Sequence, residues 1–352
     1  MRIKIDAIDT LFFKDGRPFS MGDESWASGL FPPPPSVFYG SLRTAYFSRR
    51  PQEISKANKN DDPTSNLKIN FIGMYAEKDL FFPAPADLVK KSLAKKDGDK
   101  QLYKVSLADK PQIGNYYHEK FLKWNGEEVV ERPEKYFLIR AGKLKEYLSD
   151  KYDYLTYREL DEFVVDEPKV GIGRKNSSRS AKDGMLYQVS MKRTENKDKL
   201  SFVLDYEGLD LNNTGILKLG GEAKAAAYEE LNIDLKEELA PPKIEGKILK
   251  LYLITPSVFK QGSLPDLSAE KFRKHNMKLI AAAVAGYKHI GGFNMAEKKP
   301  KPMYRAVKEG AVYYFSFDGN PEDVVADFHL KSISDFDFGK QGFGITLVGN
   351  VK

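Results

Sequence analysis

The order of elements over residues 248–350 narrows the possible folds more than any other feature of this sequence. "ILKLYLI" (248–254) is a short apolar run of strand length, and "SAEKFRKH" (268–275) predicts a short helix opened by Ser268. "KLIAAAVAGYKHIGG" is apolar and ends in glycine, and its periodicity alone fits either strand or helix. "RAVKEGAVYYFSF" (305–317) alternates into an aromatic strand. In "NPEDVVADFHL", Asn320 can cap a helix whose first position suits Pro321, and "FGITLVGNV" closes as a strand. With the ambiguous run taken as a strand, the order is β-α-β-β-α-β, the ferredoxin-like or RRM-like unit.

The preceding residues can be read on the same plan with large insertions. "RIKIDAI" alternates isoleucine with polar residues, as a half-buried strand does. After the loop-like "DGRPFSMGDESWASG", four prolines (Pro32 to Pro35) lead into "SVFYGSLRTAYFS". There Ser36 is expected to cap a helix with Val37, Leu42, Ala45 and Tyr46 on one face. Residues 50–66 and 90–113 are polar, lysine-rich and expected to be exposed insertions. Residues 163–206 predict paired strands around a basic loop, and "EAKAAAYEEL" (222–231) predicts a helix. "APP" (240–242) breaks the chain, which at 352 residues is long for one core. The expected class is α+β: two tandem ferredoxin-like (RRM-like) βαββαβ domains, 1–242 and 243–352, with insertions and glycine-rich loops.

Catalytic signals are thin. The chain has no cysteine, which removes disulfides, thiol nucleophiles and cysteine-based metal sites and suits a reducing cytoplasm. Asp6 and Asp9 interrupt the first apolar stretch as no signal peptide tolerates, and no run of about eighteen apolar residues exists for a membrane span. His118, His275, His289 and His329 stand singly, without metal-ligand spacing. "GLDLNNTG" lacks the acidic twelfth position of a calcium loop, where Gly221 stands. "GIGRKN" ends in Asn176 where a dinucleotide loop needs its third glycine, and "DFD" (335–337) offers two strand carboxylates without a third ligand. A cytoplasmic, non-enzymatic chain without cofactor, metal or membrane partner is expected.

Binding signals are stronger. The net charge is only +6, but residues 166–193 carry seven basic against three acidic side chains and residues 285–310 six against two, so each window holds +4. Positive charge gathered in two glycine-bearing segments suits a polyanion groove. Gly171 and Gly173 let backbone N–H groups approach phosphate, with Arg174, Lys175 and Arg179 as cations beside them. Arg43 follows the proline run on the predicted helix. In the second window "HIGGF" meets "KKPKPMYR", placing Phe293 for base stacking near Lys301 and Arg305. Interleaved glycine, aromatic and basic residues suit single-stranded RNA, whose unstacked bases need a ring to lie on. The usual RNP1 octamer is absent, so a different mode of contact is expected.

Six segments in order, "FFKDGRPF", "LFPPPPSVFYGSLR", "VGIGRKNSSRSAKDGMLY", "LKLGGEAK", "GGFNMAEKKPKPMYRAVKEGAVYYF" and "QGFGITLVGN", together resemble the Cmr-module third subunit of type III-B CRISPR effector complexes, in the RAMP superfamily. The resemblance implies a non-catalytic subunit that holds the 5′ repeat-derived handle of the crRNA. Its implied partners are that crRNA, a large polymerase-like scaffold subunit and the backbone RAMP subunits. It adds Lys14, Arg17 and Lys224 to the RNA-binding candidates Arg43, Gly171, Gly173, Arg174, Lys175, Arg179, Lys301 and Arg305. The alternatives are the equivalent subunit of a type III-A or type I complex, or a metal-independent endoribonuclease using His275 or His289 as base.

Overall fold

The computed structural model describes residues 1–14, 26–27, 29–92, 100–110, 118–174, 178, 180–194, 199–294 and 299–352. In the C-terminal part, Ile248–Leu253 lies between Val312–Ser316 and Ile345–Asn350, and Lys278–Ala283 pairs beyond Val312–Ser316. All these pairs are antiparallel, so the strands taken in chain order stand 2-3-1-4 across the sheet. Lys331–Ser332 adds a short edge next to Ile345–Asn350. Asn320 caps Pro321–Phe328 as expected, accepting from the Glu322 N–H at 3.2 Å.

The central strand shows why its sequence is apolar at almost every position. Leu249, Leu251 and Leu253 face the helical layer with Phe272, Val324 and Phe328. Tyr252, on the other side, packs with Leu144, Tyr147 and Leu347. A strand covered on both faces has no solvent side to alternate toward.

The N-terminal part repeats the order. Arg2–Ala7 lies between Ser201–Glu207 and Ala225–Glu230, and Lys68–Ala76 pairs beyond Ser201–Glu207, again 2-3-1-4 and antiparallel. The helix Pro35–Arg49 joins the first two strands and buries Phe38, Leu42 and Ala45 along one stripe. Asp79–Pro83, Phe137–Arg140 and Arg158–Glu159 widen this sheet on one edge and Thr214–Lys218 on the other, to eight strands. The helix Ala141–Leu148 packs Leu144, Tyr147 and Leu148 into one apolar cluster with residues of both parts.

Several expectations need correction. Residues 222–231 do not form a helix: Ala225–Glu230 is a strand, paired with Arg2–Ala7 on one side and Thr214–Lys218 on the other. Only Ala226 and Tyr228 of its alanine-rich start are buried, a period of two; pairing on both edges overrides the helix preference of alanine. Pro34, not Ser36, is the residue before the first helix, and Pro35 takes the first position, where a missing N–H removes no helical bond. Ser268 does not open the short helix Glu270–Arg273; its hydroxyl donates to Asp266 at 2.6 Å. The ambiguous run is two strands, Lys278–Ala283 and Tyr287–Ile290, and "RAVKEGAVYYFSF" also divides, into Tyr304–Val307 and Val312–Ser316. "DFD" begins a 3-10 turn rather than a strand. The polar insertions are not wholly exposed: Asp62, Thr64 and Leu102 are buried.

Candidate nucleic-acid interface

Val164–Arg174 and Ala181–Thr194 form a long antiparallel hairpin. Ion pairs brace its root, Lys192 to Asp166 at 2.6 Å and Arg193 to Glu167 at 2.8 Å. Farther out Val170 and Ile172 share one face of the ribbon and are 60% and 50% exposed. The sequence reading placed Gly171 and Gly173 in a loop. Both belong to the strand: Gly171 stands opposite Tyr187, and the register shifts between Ile172 and Arg174, around Gly173. Arg174 ends the strand opposite Ala181. Lys175, Arg179 and Arg17 lie outside the described residues.

The N-terminal segment laces the hairpin to the large sheet. Leu11 bridges Lys192, and Lys14 bridges Gly29, whose Cβ position faces the Ser190 carbonyl. Phe12 accepts from the Gly221 N–H at 2.8 Å, inside "LKLGGEAK". Lys224 Nζ holds Asp9 at 2.6 Å, and Lys169 of the hairpin reaches Glu222 at 3.8 Å. Lys14 and Lys224 therefore come to the hairpin root, although Lys224 is already paired. Lys224, through its hydrogen bond, is the main reason the Asp9 carboxyl sits below the usual range.

Arg43 is elsewhere and engaged. Its Nη2 donates to Asp62 Oδ2 at 2.6 Å and its Nε to Thr64 Oγ1 at 2.7 Å. Burial pushes the Asp62 carboxyl up, but hydrogen bonds from Thr64 and Asn58 and the Arg43 charge outweigh it and hold it low. The guanidinium clamps the 50–66 insertion onto the helix.

The second basic segment is a two-stranded ribbon, Tyr287–Ile290 with Tyr304–Val307. Arg305 stands opposite His289 and lays its guanidinium 5.1 Å from the Tyr287 ring centroid. Tyr287 remains 51% exposed, and the His289 ring stands perpendicular to it with the ring centroids 5.3 Å apart. Lys301 is exposed, its N–H donating to the Gly292 carbonyl at 2.9 Å. Arg305, Lys301 and Lys308 have no ion-pair partner among the described residues. The sequence reading offered Phe293 as a stacking ring, whose side chain lies outside the described ones; the ribbon pairing adds Tyr287, which periodicity could not single out.

A cleft of about 530 Å³ runs beside this ribbon, walled by Leu30 and Phe31, by Pro83–Ala86 and by Arg132–Phe137. Leu30 donates to the Phe13 carbonyl at 2.7 Å, directly after the Lys14–Gly29 bridge. One wall of the cleft thus continues from the hairpin root and the other is the Tyr287 ribbon. Inside it Lys288 is bonded to Glu309, whose carboxylate also accepts from the Tyr136 hydroxyl at 2.9 Å. Burial pushes the Glu309 carboxyl up, but Lys288 and the hydrogen bonds hold it ionised, below the usual range.

Two of the histidines are held in structural contacts. His275 is buried with Nε2 2.8 Å from Asp327. His329 accepts the Val348 N–H on Nδ1 and donates from Nε2 to the Leu239 carbonyl, a neutral tautomer; burial lowers its pKa. The closing glycines are packing devices: Gly342 has φ +89° and a Cβ there would lie 2.9 Å from Ile69 Cγ2. Among the described residues no group of three or more His, Asp or Glu could hold a metal, and no helix is long and apolar enough to cross a membrane.

Comparison with known proteins gives one family and several related folds. No curated protein matches the chain by sequence. A subunit in the cryo-EM structure of the type III-B Cmr-beta complex bound to cognate target RNA and AMPPnP is 16% identical, with a TM-score of 0.52 over 89% of this chain and 86% of that one. The same values hold for Cmr-beta bound to cognate target RNA alone. A chain of the Csm3–Csm4 subcomplex of the type III-A interference complex is 11% identical, with a TM-score of 0.41, covering 91% of this chain and 94% of that one. The model of the CRISPR-associated protein family Cas_Cmr3 matches residues 3–351, and this chain belongs to that family.

Proposed function

We propose that this chain is a non-catalytic RNA-binding subunit of a type III-B CRISPR effector complex, holding the 5′ repeat-derived handle of the crRNA and docking against the large polymerase-like subunit. Family membership supports the setting, and related folds occur in complexes bound to target RNA. The observation that carries the RNA role is geometric. The Leu30–Phe31 wall joins the root of the basic hairpin to the Tyr287 ribbon, making a continuous path along which a strand of phosphates could be tracked. Exposed Val170 and Ile172 suit contact with a neighbouring subunit.

Anisotropy titration of the purified chain with repeat-handle and scrambled RNA tests this reading. If about five phosphates are neutralised, log affinity should fall with log salt at a slope of roughly −3.5, and replacing both Lys301 and Arg305 by alanine should shallow the slope by roughly 1.4. Equal affinity for scrambled RNA, or an unchanged slope in the double variant, contradicts it. Cleavage of repeat RNA in EDTA that is lost on His289→Ala would favour the endoribonuclease instead.

A further inference from the structure

We propose that the cleft beside Tyr287 is a receiving site for a single unstacked base of the bound RNA strand. This rests on the RNA-binding reading above and goes beyond it, to one subsite and one ring.

A base leaving its stack needs a flat apolar surface, a way to keep its phosphate nearby, and room. Tyr287 supplies the surface. Tyr287 is half exposed, with the Arg305 guanidinium 5.1 Å from its ring centroid and the His289 ring perpendicular to it at a centroid distance of 5.3 Å, so both neighbours orient it. The ring's exposed surface can take a base, and the guanidinium over it can meet the neighbouring phosphate. Arg132 and Lys308, exposed at the cleft and without ion-pair partners among the described residues, supply further phosphate contacts. Room is given by the cleft volume of about 530 Å³.

The floor is polar but ordered. Glu309 Oε1 accepts from both Lys288 and the Tyr136 hydroxyl, and Glu309 Oε2 is buried without a hydrogen-bond partner among the described residues. A buried carboxylate oxygen left unpaired is costly, and only a hydrogen-bond donor relieves it. The Lys288 ammonium keeps protons beyond the one given to Glu309, so it can donate to a ring nitrogen or carbonyl of a base. An aliphatic protein side chain would leave these groups unanswered. A planar heterocycle with a phosphate answers both the platform and the cations.

The test uses the full-length chain and a short repeat-handle RNA carrying 2-aminopurine at one position at a time. One position should lose its emission on binding. Tyr287→Ala should abolish that change and weaken binding about tenfold, whereas Tyr287→Phe should keep both. Removing the base at that position should weaken binding to the unaltered chain by a similar factor and should have no further effect on Tyr287→Ala. If RNA binds but no position responds, or the response survives Tyr287→Ala, the base site is wrong and the handle-binding reading stands. If free AMP at submillimolar concentration displaces the RNA base, the site takes a mononucleotide and the proposal fails. Absence of any RNA binding overturns both readings.

Discussion

Lys250 shows what a single residue reveals about the seam between the two parts. It is 2% exposed, its Nζ lies 3.5 Å from the Tyr147 ring centroid and 3.9 Å from Asp150, and Asp87 close by accepts from Tyr147 and Tyr314. Burial drives the Lys250 pKa down to about 8, against partial support from Asp87 and Asp150, and burial likewise brings Lys271 to about 8. Between pH 8 and the ordinary lysine range the unfolded chain keeps a proton that the folded chain has released. Stability therefore rises with pH through that window. The buried hydroxyls of Tyr147, Tyr252 and Tyr314 are held well above their ordinary value of 10, so above pH 10 they pull the other way. Urea midpoints should climb from pH 8 to about 10 and then fall, and Lys250→Met should flatten the climb. A midpoint that falls steadily from pH 8 would contradict this account of the seam. None of this was legible in "ILKLYLI", where Lys250 reads as a polar interruption; its partners come from residues 87 and 150.

At the scale of elements, the sequence was most readable where local rules and tertiary packing agree. Asn320 and Pro321 opened their helix as expected, and the C-terminal strands followed their apolar runs. It misled where pairing partners decide: "EAKAAAYEEL" became a strand between two others. The Arg43 contact with Asp62, in an insertion with no motif, was not legible either. The basic segments were legible as charge, and the first also as paired strands, but the pairing of Tyr287–Ile290 with Tyr304–Val307 was not, so Tyr287 was not singled out. One element-level prediction follows from the N-terminal lacing. Gly220 has φ +86°, and a Cβ there would stand 2.4 Å from the Phe12 carbonyl oxygen, a backbone atom that cannot rotate away. Gly220→Ala should lower stability by about 2 kcal/mol in thermal unfolding, and Gly40→Ala, on the open side of the first helix, should not lower it. Equal effects would mean that the Phe12–Gly221 contact is not formed.

Across the whole molecule, two sheets of the same 2-3-1-4 order share one apolar cluster, and the Lys14–Gly29 bridge with Leu30 and Phe31 links the basic hairpin to the cleft beside the Tyr287 ribbon. On the reading proposed above, a chain built this way would position a strand of RNA by shape and charge, while His275 and His329 are held in structural contacts. Photo-crosslinking of the full-length chain to repeat-handle RNA, with the attached peptides mapped by mass spectrometry, tests this most directly. Crosslinks should fall on both the 164–194 hairpin and the 287–307 ribbon, confined to the 5′ repeat-derived nucleotides. Crosslinks centred instead on Lys68 and Lys331, which line a separate cleft, or the same pattern with scrambled RNA, would contradict it.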